Sequence, residues 1–176
     1  MDFGLISIIM PSWNCGIFVE ESILSILAQT YTNWELLFQD DCSTDETKNI
    51  VMQYASKDVR IKYECNFQNS GAAVTRNNAI KRAKGRWIAF LDSDDLWLPN
   101  KLEKQVRFMQ ENNYAFSYTK YQEVNENSEF LGVCVSGPKK ITKIGMYAYC
   151  WPGCLTVMYD VNTIGTLEIV DIKKNN

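Results

Sequence analysis

The chain has 176 residues, enough for one domain with a substantial buried core. Apolar residues make up 46% and charged residues 22%, which excludes a disordered chain, and a net charge of −3 argues against a nucleic-acid-binding surface. Histidine is absent, so Ser-His-Asp and Cys-His nucleophilic catalysis and His-Glu-x-x-His metal sites are excluded.

Leu5 to Met10 reads as a buried strand stopped by Pro11, followed by the loop Ser12-Trp13-Asn14-Cys15-Gly16. Val19, Ile23, Ile26 and Leu27 recur at helical spacing and predict a helix over 17–29. Glu20 and Glu21 fall in its first turn, where the helix dipole favours acids. A strand over 35–39 ends in Asp40-Asp41, and Ser43-Thr-Asp-Glu46 reads as a capping box opening a helix over 45–56. A strand at 60–64, a helix at 72–84 closed by Gly85, a strand at 86–91 and a helix from Pro99 to about Asn112 complete the first part. Beyond Tyr114 the texture changes. Residues 115–118 and 130–135 read as strands separated by a polar turn, 141–149 as a short helix, and 155–159 as an apolar stretch. Strand and helix alternating through residue 112 predict right-handed βαβ units and a doubly wound, mostly parallel α/β sheet, with a short mixed or antiparallel part after it.

The six cysteines (15, 42, 65, 134, 150 and 154) do not form a disulfide framework and read as free thiols, many of them buried. Cys150 and Cys154 are the one close pair, too few for a zinc site. No stretch approaches the roughly 20 apolar residues of a membrane span. Met1-Asp2-Phe3-Gly4 lacks the basic end of a signal peptide. A cytoplasmic location is expected, with peripheral association at an inner membrane face through partners or a missing segment.

The chemistry gathers at strand ends. Trp87 to Leu91 runs into Asp92, Ser93, Asp94 and Asp95. Like charges so crowded repel unless a cation lies between them, and hard carboxylate oxygens suit Mg²⁺ or Mn²⁺ carrying a phosphate-bearing ligand. In a parallel sheet, Pro11-Ser12-Trp13-Asn14, Asp40-Asp41 and Asp92 to Asp95 share one edge, where ligands of open α/β sheets bind. Neither Gly-x-Gly-x-x-Gly nor a P-loop is present. Phosphate binding would therefore rest on metal and on Arg76, unless Arg76 is only a solvated helix charge.

These segments resemble the family-2 glycosyltransferases of the GT-A fold. The likeness runs through Ser7-Ile-Ile-Met-Pro-Ser-Trp-Asn14, Glu20 to Tyr31, Glu35 to Asp45, Gly71-Ala-Ala-Val-Thr-Arg-Asn77 and Ala83 to Asp95, in order and nearly without gaps. The resemblance implies a nucleotide-diphosphate sugar donor, UDP- or GDP-linked, a divalent metal (Mn²⁺ or Mg²⁺), and a saccharide or lipid-linked acceptor in cell-surface polysaccharide or lipopolysaccharide synthesis. By that likeness Pro11, Ser12 and Trp13 pack on the base, and Asp40 and Asp41 contact base or ribose. Ser93 lies in the donor site and Asp92 binds ribose or supports the metal. Asp94 ligates the metal, Arg76 lies near the diphosphate, and Asp95 has no assigned role. Residues 1–112 would form the donor-binding part and 113–176 the start of an acceptor part.

Inverting members of that family need a carboxylate general base downstream of the metal motif. Asp160, Glu168 and Asp171 are the candidates present, none in a recognisable motif. The expectation is a truncated acceptor part without the base, weak or no activity of this chain alone, and pairing of two chains through the surface so exposed. Two other readings stay open: a non-catalytic nucleotide-sugar-binding module, and a sugar-phosphate nucleotidyltransferase. The latter usually carries a Gly-rich basic loop where this chain has Pro11-Ser-Trp-Asn14.

Overall fold

Every residue of the strands β1 (Ile6–Ser12), β2 (Trp34–Asp40) and β4 (Trp87–Phe90) is buried, as strands covered by helices on both faces must be. The computed structural model describes residues 2–140, 142 and 152–170. Helices α1 (Val19–Leu27), α2 (Thr47–Ala55) and α3 (Ala72–Lys81) alternate with β1, β2, β3 (Ile61–Cys65) and β4, and α4 (Lys101–Asn112) follows. Then come β5 (Phe116–Ser117), the hairpin β6 (Tyr121–Val124) and β7 (Phe130–Val135), β8 (Met158–Asp160) and a single helical turn α5 (Val161–Ile164).

The central sheet is six-stranded in the order β3-β2-β1-β4-β8-β5. The first four strands are parallel, whereas β8 runs antiparallel between β4 and β5. Alternation along the strands builds two cores. Ile6, Ile8, Met10, Leu36 and Phe38 pack with Val19, Ile23 and Ile26 of α1, Val51 of α2 and Leu102, Val106 and Met109 of α4. Ile9, Leu37, Ile88 and Phe90 face the other way, onto Ala79 and Ile80 of α3 and onto Tyr159. Each aliphatic side chain so buried contributes about 1.5–3 kcal/mol. The chain winds outward from β1 to β3, then crosses back so that β4 lies on the other side of β1. That reversal opens a crevice beyond the carboxyl ends of β1 and β4.

Some local expectations are corrected. Pro11 does not stop β1, which pairs with β2 as far as Ser12 and Asp40. The Ile9 carbonyl faces β4 and accepts the Leu91 N–H at 3.1 Å. Pro11, two residues on, faces the same way beyond the last β4 pair, so its missing N–H removes no ladder bond. Gly85 does not close α3, which ends at Lys81. It stands where backbone approaches backbone: a Cβ there would lie 2.7 Å from both the Leu5 carbonyl oxygen and the Ser7 nitrogen. The expected polar turn between residues 118 and 130 contains β6, which among the described residues pairs only with β7 in an exposed ribbon and so carries no alternating apolar pattern. None of the described cysteines is fully buried: Cys65 and Cys134 are exposed, at the end of β3 and in the ribbon, and Cys15, Cys42 and Cys154 are half-buried in loops and turns, Cys154 packing against the second core. All but Thr142 of the helix expected at 141–149, and Cys150, Trp151 and Asp171, lie outside the described residues.

Replacing Gly85 with Ala is expected to lower unfolding free energy by about 2 kcal/mol, since its contacts are backbone atoms that cannot rotate away. Urea denaturation would measure this, and a variant as stable as the parent would refute the close-approach account.

Candidate functional site

The loop leaving β1 is stitched to the loop leaving β2. The N–H groups of Asn14, Cys15 and Gly16 donate to Ser43 Oγ (2.9 Å), Thr47 Oγ1 (2.9 Å) and Asp45 Oδ2 (2.8 Å). Asn14 Oδ1 accepts in return from the Thr44 N–H at 2.8 Å. Ser43 is therefore not the helix cap expected of it; Asp45 accepts the Thr47 N–H at 3.0 Å and ties α2 down instead. This stitching leaves the Trp13 ring 57% exposed, while Pro11 and Ser12 are buried at the strand end.

Asp40 and Asp41 are 1% and 4% exposed. Asp40 accepts from the Ser43 N–H (2.9 Å) and the Tyr63 hydroxyl (2.7 Å). Asp41 accepts from Asn66 Nδ2 (2.7 Å) and the N–H groups of Ser70 and Gly71 (2.8 Å each), anchoring the loop that starts α3. Burial alone would push the Asp41 pKa up; donors from Asn66, Ser70, Gly71 and Thr75 outweigh it and hold the carboxyl below its usual range. The pair thus shapes two loops and leaves little carboxylate surface for a ligand.

The acidic turn after β4 is gripped from α1. Ser22 Oγ contacts the carbonyls of Ser93 (2.9 Å) and Asp95 (2.8 Å), Ser25 Oγ accepts the Trp97 N–H, and Gln29 Nε2 donates to the Leu98 carbonyl. These polar residues escaped the sequence reading, although Ser22, Ser25 and Gln29 at i, i+3 and i+7 on an otherwise apolar helix face are a usable signal. Ser93 is buried within the turn, and Trp97 Nε1 donates to the Leu155 carbonyl at 2.9 Å. Beneath it Lys101 is buried with its Nζ 3.8 Å from the Trp97 ring centroid, and burial pushes its pKa down to about 7.

Arg76 is not a solvated charge. Its Nη2 donates to both oxygens of Asp92, at 2.6 and 2.8 Å, and its side chain is mostly buried. Asp94 is exposed, with no hydrogen bond or ion pair among the described residues. Burial, then the charges of Asp94 and Asp92, push the Asp95 pKa up to about 6. The neighbouring helix acids have local partners, Glu20 with the Tyr54 hydroxyl and Glu21 with Ser128 Oγ. Asp160 sits opposite Trp87, at the far end of β4, capping α5 and paired with Arg86 at 2.8 Å. That position removes it from this edge. Glu168 is exposed, beside Ile169, whose backbone bonds the Asn77 side chain twice at 2.8 Å.

No three carboxylate or thiol groups converge into a ready cage among the described residues. The donor set nevertheless fits Mg²⁺ or Mn²⁺, because such ions are held by one or two carboxylates together with substrate phosphates. The free Asp94 carboxylate and the unrelieved repulsion around Asp95 are the features a cation would satisfy.

Residues 7–147 match the model of the family described as Glycosyl transferase family 2. The chain is 49% identical over 176 residues to the Escherichia coli UDP-Glc:alpha-D-GlcNAc-diphosphoundecaprenol beta-1,3-glucosyltransferase WfgD, covering all of this chain and 68% of that protein. The crystal structure of Staphylococcus aureus TarS 1–349 in complex with UDP superposes with a TM-score of 0.73 at 28% identity, over 88% of this chain and 46% of that one. A mannosyltransferase of Pyrobaculum calidifontis in complex with GDP-Man and Mn²⁺ matches 60% of this chain and 32% of its own, with a TM-score of 0.57 at 25% identity. The fold is that of the GT-A glycosyltransferases, and the chain belongs to glycosyl transferase family 2.

The raised Asp95 pKa means that the folded chain favours the protonated acid, so ionisation costs stability. Its contribution is intact below about pH 4, the ordinary carboxylate value, and is lost as pH rises toward 6. With chelator present, the unfolding free energy of the parent minus that of Asp95→Asn should fall between these limits and level off above them. A flat or rising difference would contradict the crowding.

Proposed function

We propose that the protein transfers a hexose from a UDP-linked donor to a hydroxyl of a lipid-linked saccharide during cell-surface polysaccharide synthesis. The observation that carries this reading is the exposed, unpaired Asp94 at the switch edge, beside the Arg76–Asp92 ion pair. Uridine is favoured over guanosine by the relatives: WfgD is named for UDP-Glc and the TarS structure holds UDP. The lipid-linked acceptor is likewise argued from WfgD's name. Work at the cytoplasmic face of a membrane would follow from such an acceptor, and no described helix is long and apolar enough to cross one.

In this reading residues 1–112 hold the donor and 113–176 begin the acceptor side. Trp13 offers its exposed ring to the base, with Pro11 and Ser12 as the floor beneath it. Asp40 and Asp41 fix the loops at 41–44 and 66–71 that frame base and ribose, a positioning role that suits their burial. Asp94, with Asp92 behind it, would hold a divalent ion, which when bound neutralises the diphosphate as it leaves. Ser93 and Asp95 complete that turn, and Arg76 supplies a fixed guanidinium toward the same diphosphate. The acceptor's proton has to go to a carboxylate on the side opposite the leaving group. Asp160, bound to Arg86 at the other end of the sheet, is not that base.

Calorimetric titration with UDP and GDP, each with and without Mn²⁺, tests the reading. Metal-dependent UDP binding is expected, and Asp94→Ala should weaken it at least about 100-fold, the upper end of what losing an outer metal partner costs. That variant should unfold no lower than the parent, because Asp94 makes no hydrogen bond or ion pair among the described residues and its loss relieves the repulsion on Asp95. Metal-independent binding, or unchanged affinity in Asp94→Ala, would overturn the assignment.

A further inference from the structure

Two thiols converge at the outer end of the proposed donor pocket, where no step of the transfer requires sulfur. Cys42 Sγ lies 2.8 Å from the Asn66 carbonyl oxygen, and Cys65 Sγ lies 3.3 Å from the same atom. One carbonyl thus gathers both thiols. The topology explains how. Cys65 ends β3 in register with Asp40, and Cys42 follows two residues later with a left-handed φ of 62°, which turns the chain back toward β3. Two sulfurs at those distances from one oxygen lie no more than about 6 Å apart, a gap that side-chain rotation and a shift of the 41–44 loop can close to the S–S length of about 2.0 Å. Cys65 is exposed and Cys42 half-buried, so a small reagent can reach them.

Their surroundings give the pair leverage. Asn66 donates its N–H to the Asp40 carbonyl (2.8 Å) and its Nδ2 to Asp41 (2.7 Å) and Thr75 (3.0 Å), while its Oδ1 accepts from Gln39 (3.0 Å) and Asn78 (2.9 Å). The residue that holds both thiols therefore also bonds the Asp40 backbone and the Asp41 carboxylate at the end of β2. Drawing the two sulfurs together takes them off the Asn66 carbonyl and moves the 41–44 loop, which is bonded in turn to the Trp13–Asn14 loop.

We propose that Cys42 and Cys65 are an oxidisable thiol pair whose disulfide deforms the base end of the donor pocket and weakens nucleotide binding. The oxidant is a low-molecular-weight disulfide. The exposed Cys65 thiolate attacks one of its sulfurs, forming a mixed disulfide and expelling one small thiolate. Cys42, deprotonated, then attacks the Cys65 sulfur, forming the internal bond and expelling the second. Two protein thiols lose two protons and two electrons, and the small disulfide becomes two thiols. Burial, then the hydrogen bond Cys42 donates to Cys65 and the charges of Cys65, Asp41 and Asp40, hold the Cys42 thiol above its usual range. In the mixed disulfide Cys65 no longer contributes, but burial and the charges of Asp41 and Asp40 still hold Cys42 up, so the second step is slow at neutral pH and faster in alkali.

The consequence for binding rests on the nucleotide-sugar reading above; bond formation does not. The reduced chain is incubated with oxidised glutathione at neutral and alkaline pH, its remaining thiols are alkylated, and unreduced digests are analysed by mass spectrometry. Titration with UDP and Mn²⁺ before and after gives the second readout. A Cys42–Cys65 linked peptide is expected, appearing faster at high pH. UDP affinity should fall by about tenfold or more and return with dithiothreitol, whereas Cys65→Ser, outside the two loops that frame the base, should show the same affinity before and after the treatment. Recovery of both cysteines as separate alkylated or glutathionylated residues overturns the pair, and a linked peptide with unchanged UDP affinity overturns its control of binding. If reduced protein binds no UDP, the donor reading fails, while the linked peptide still decides whether the pair forms.

Discussion

Carboxylates crowd the carboxyl edge of this sheet, and each must either find donors or leave its repulsion unrelieved. The chain resolves this unequally. Asp40 and Asp41 are taken inside and surrounded by backbone N–H groups, a tyrosine hydroxyl and an asparagine amide. Asp45 is spent on the start of α2, and Asp92 on Arg76. Asp94 and Asp95 are left over. Removing a buried carboxylate's donors costs more than the bonds contribute when present, so the satisfied acids are fixed in place. Among the described residues of this edge, the carboxylates left without a hydrogen-bond or ion-pair partner are confined to one turn.

The grip on that turn is polar rather than apolar. A purely aliphatic α1 would pack on the sheet equally well, yet Ser22, Ser25 and Gln29 spend their hydrogen bonds on backbone groups of residues 93–98. Carbonyls at a strand-to-loop transition have no ladder partner and need one when buried. Supplying it from a helix anchored by Val19, Ile23 and Ile26 makes the turn as rigid as the core beneath it. Such preorganisation is what a site holding a diphosphate in one orientation needs.

The strand–helix alternation, the sheet edge and the acids upon it were legible in sequence, because apolar runs, caps and charge clusters are local signals. What escaped were features decided by partners far along the chain. Pro11 reads as a terminator until the end of the β4 ladder is known, and Gly85 as a helix stop until Leu5 and Ser7 are seen against it. Asp40 and Asp41 read as open ligands because nothing near them announces that Asn66, Ser70 and Gly71 will close over them. Arg76 could be separated from a solvated charge only by its distance to Asp92, sixteen residues on. Strand β6 carried no pattern at all, since an exposed ribbon buries neither face.

The later part of the chain belongs to the site's foundation as well as to whatever it covers. Strand β8 enters the sheet between β4 and β5 and lays Tyr159 against Ile88 and Phe90. Just before it, the turn at Cys154–Thr156 offers the Leu155 carbonyl to Trp97 and the Thr156 carbonyl to Gln105 of α4. The acidic turn is therefore braced on one side by α1 and on the other by residues some sixty positions downstream. Because β8 hydrogen-bonds to β4, whose chain runs on into Asp92, the later segment and the acidic turn rest on neighbouring strands of one sheet. In a transferase that must bring an acceptor to the donor it already holds, such a connection would let occupancy on one side be felt by the groups on the other.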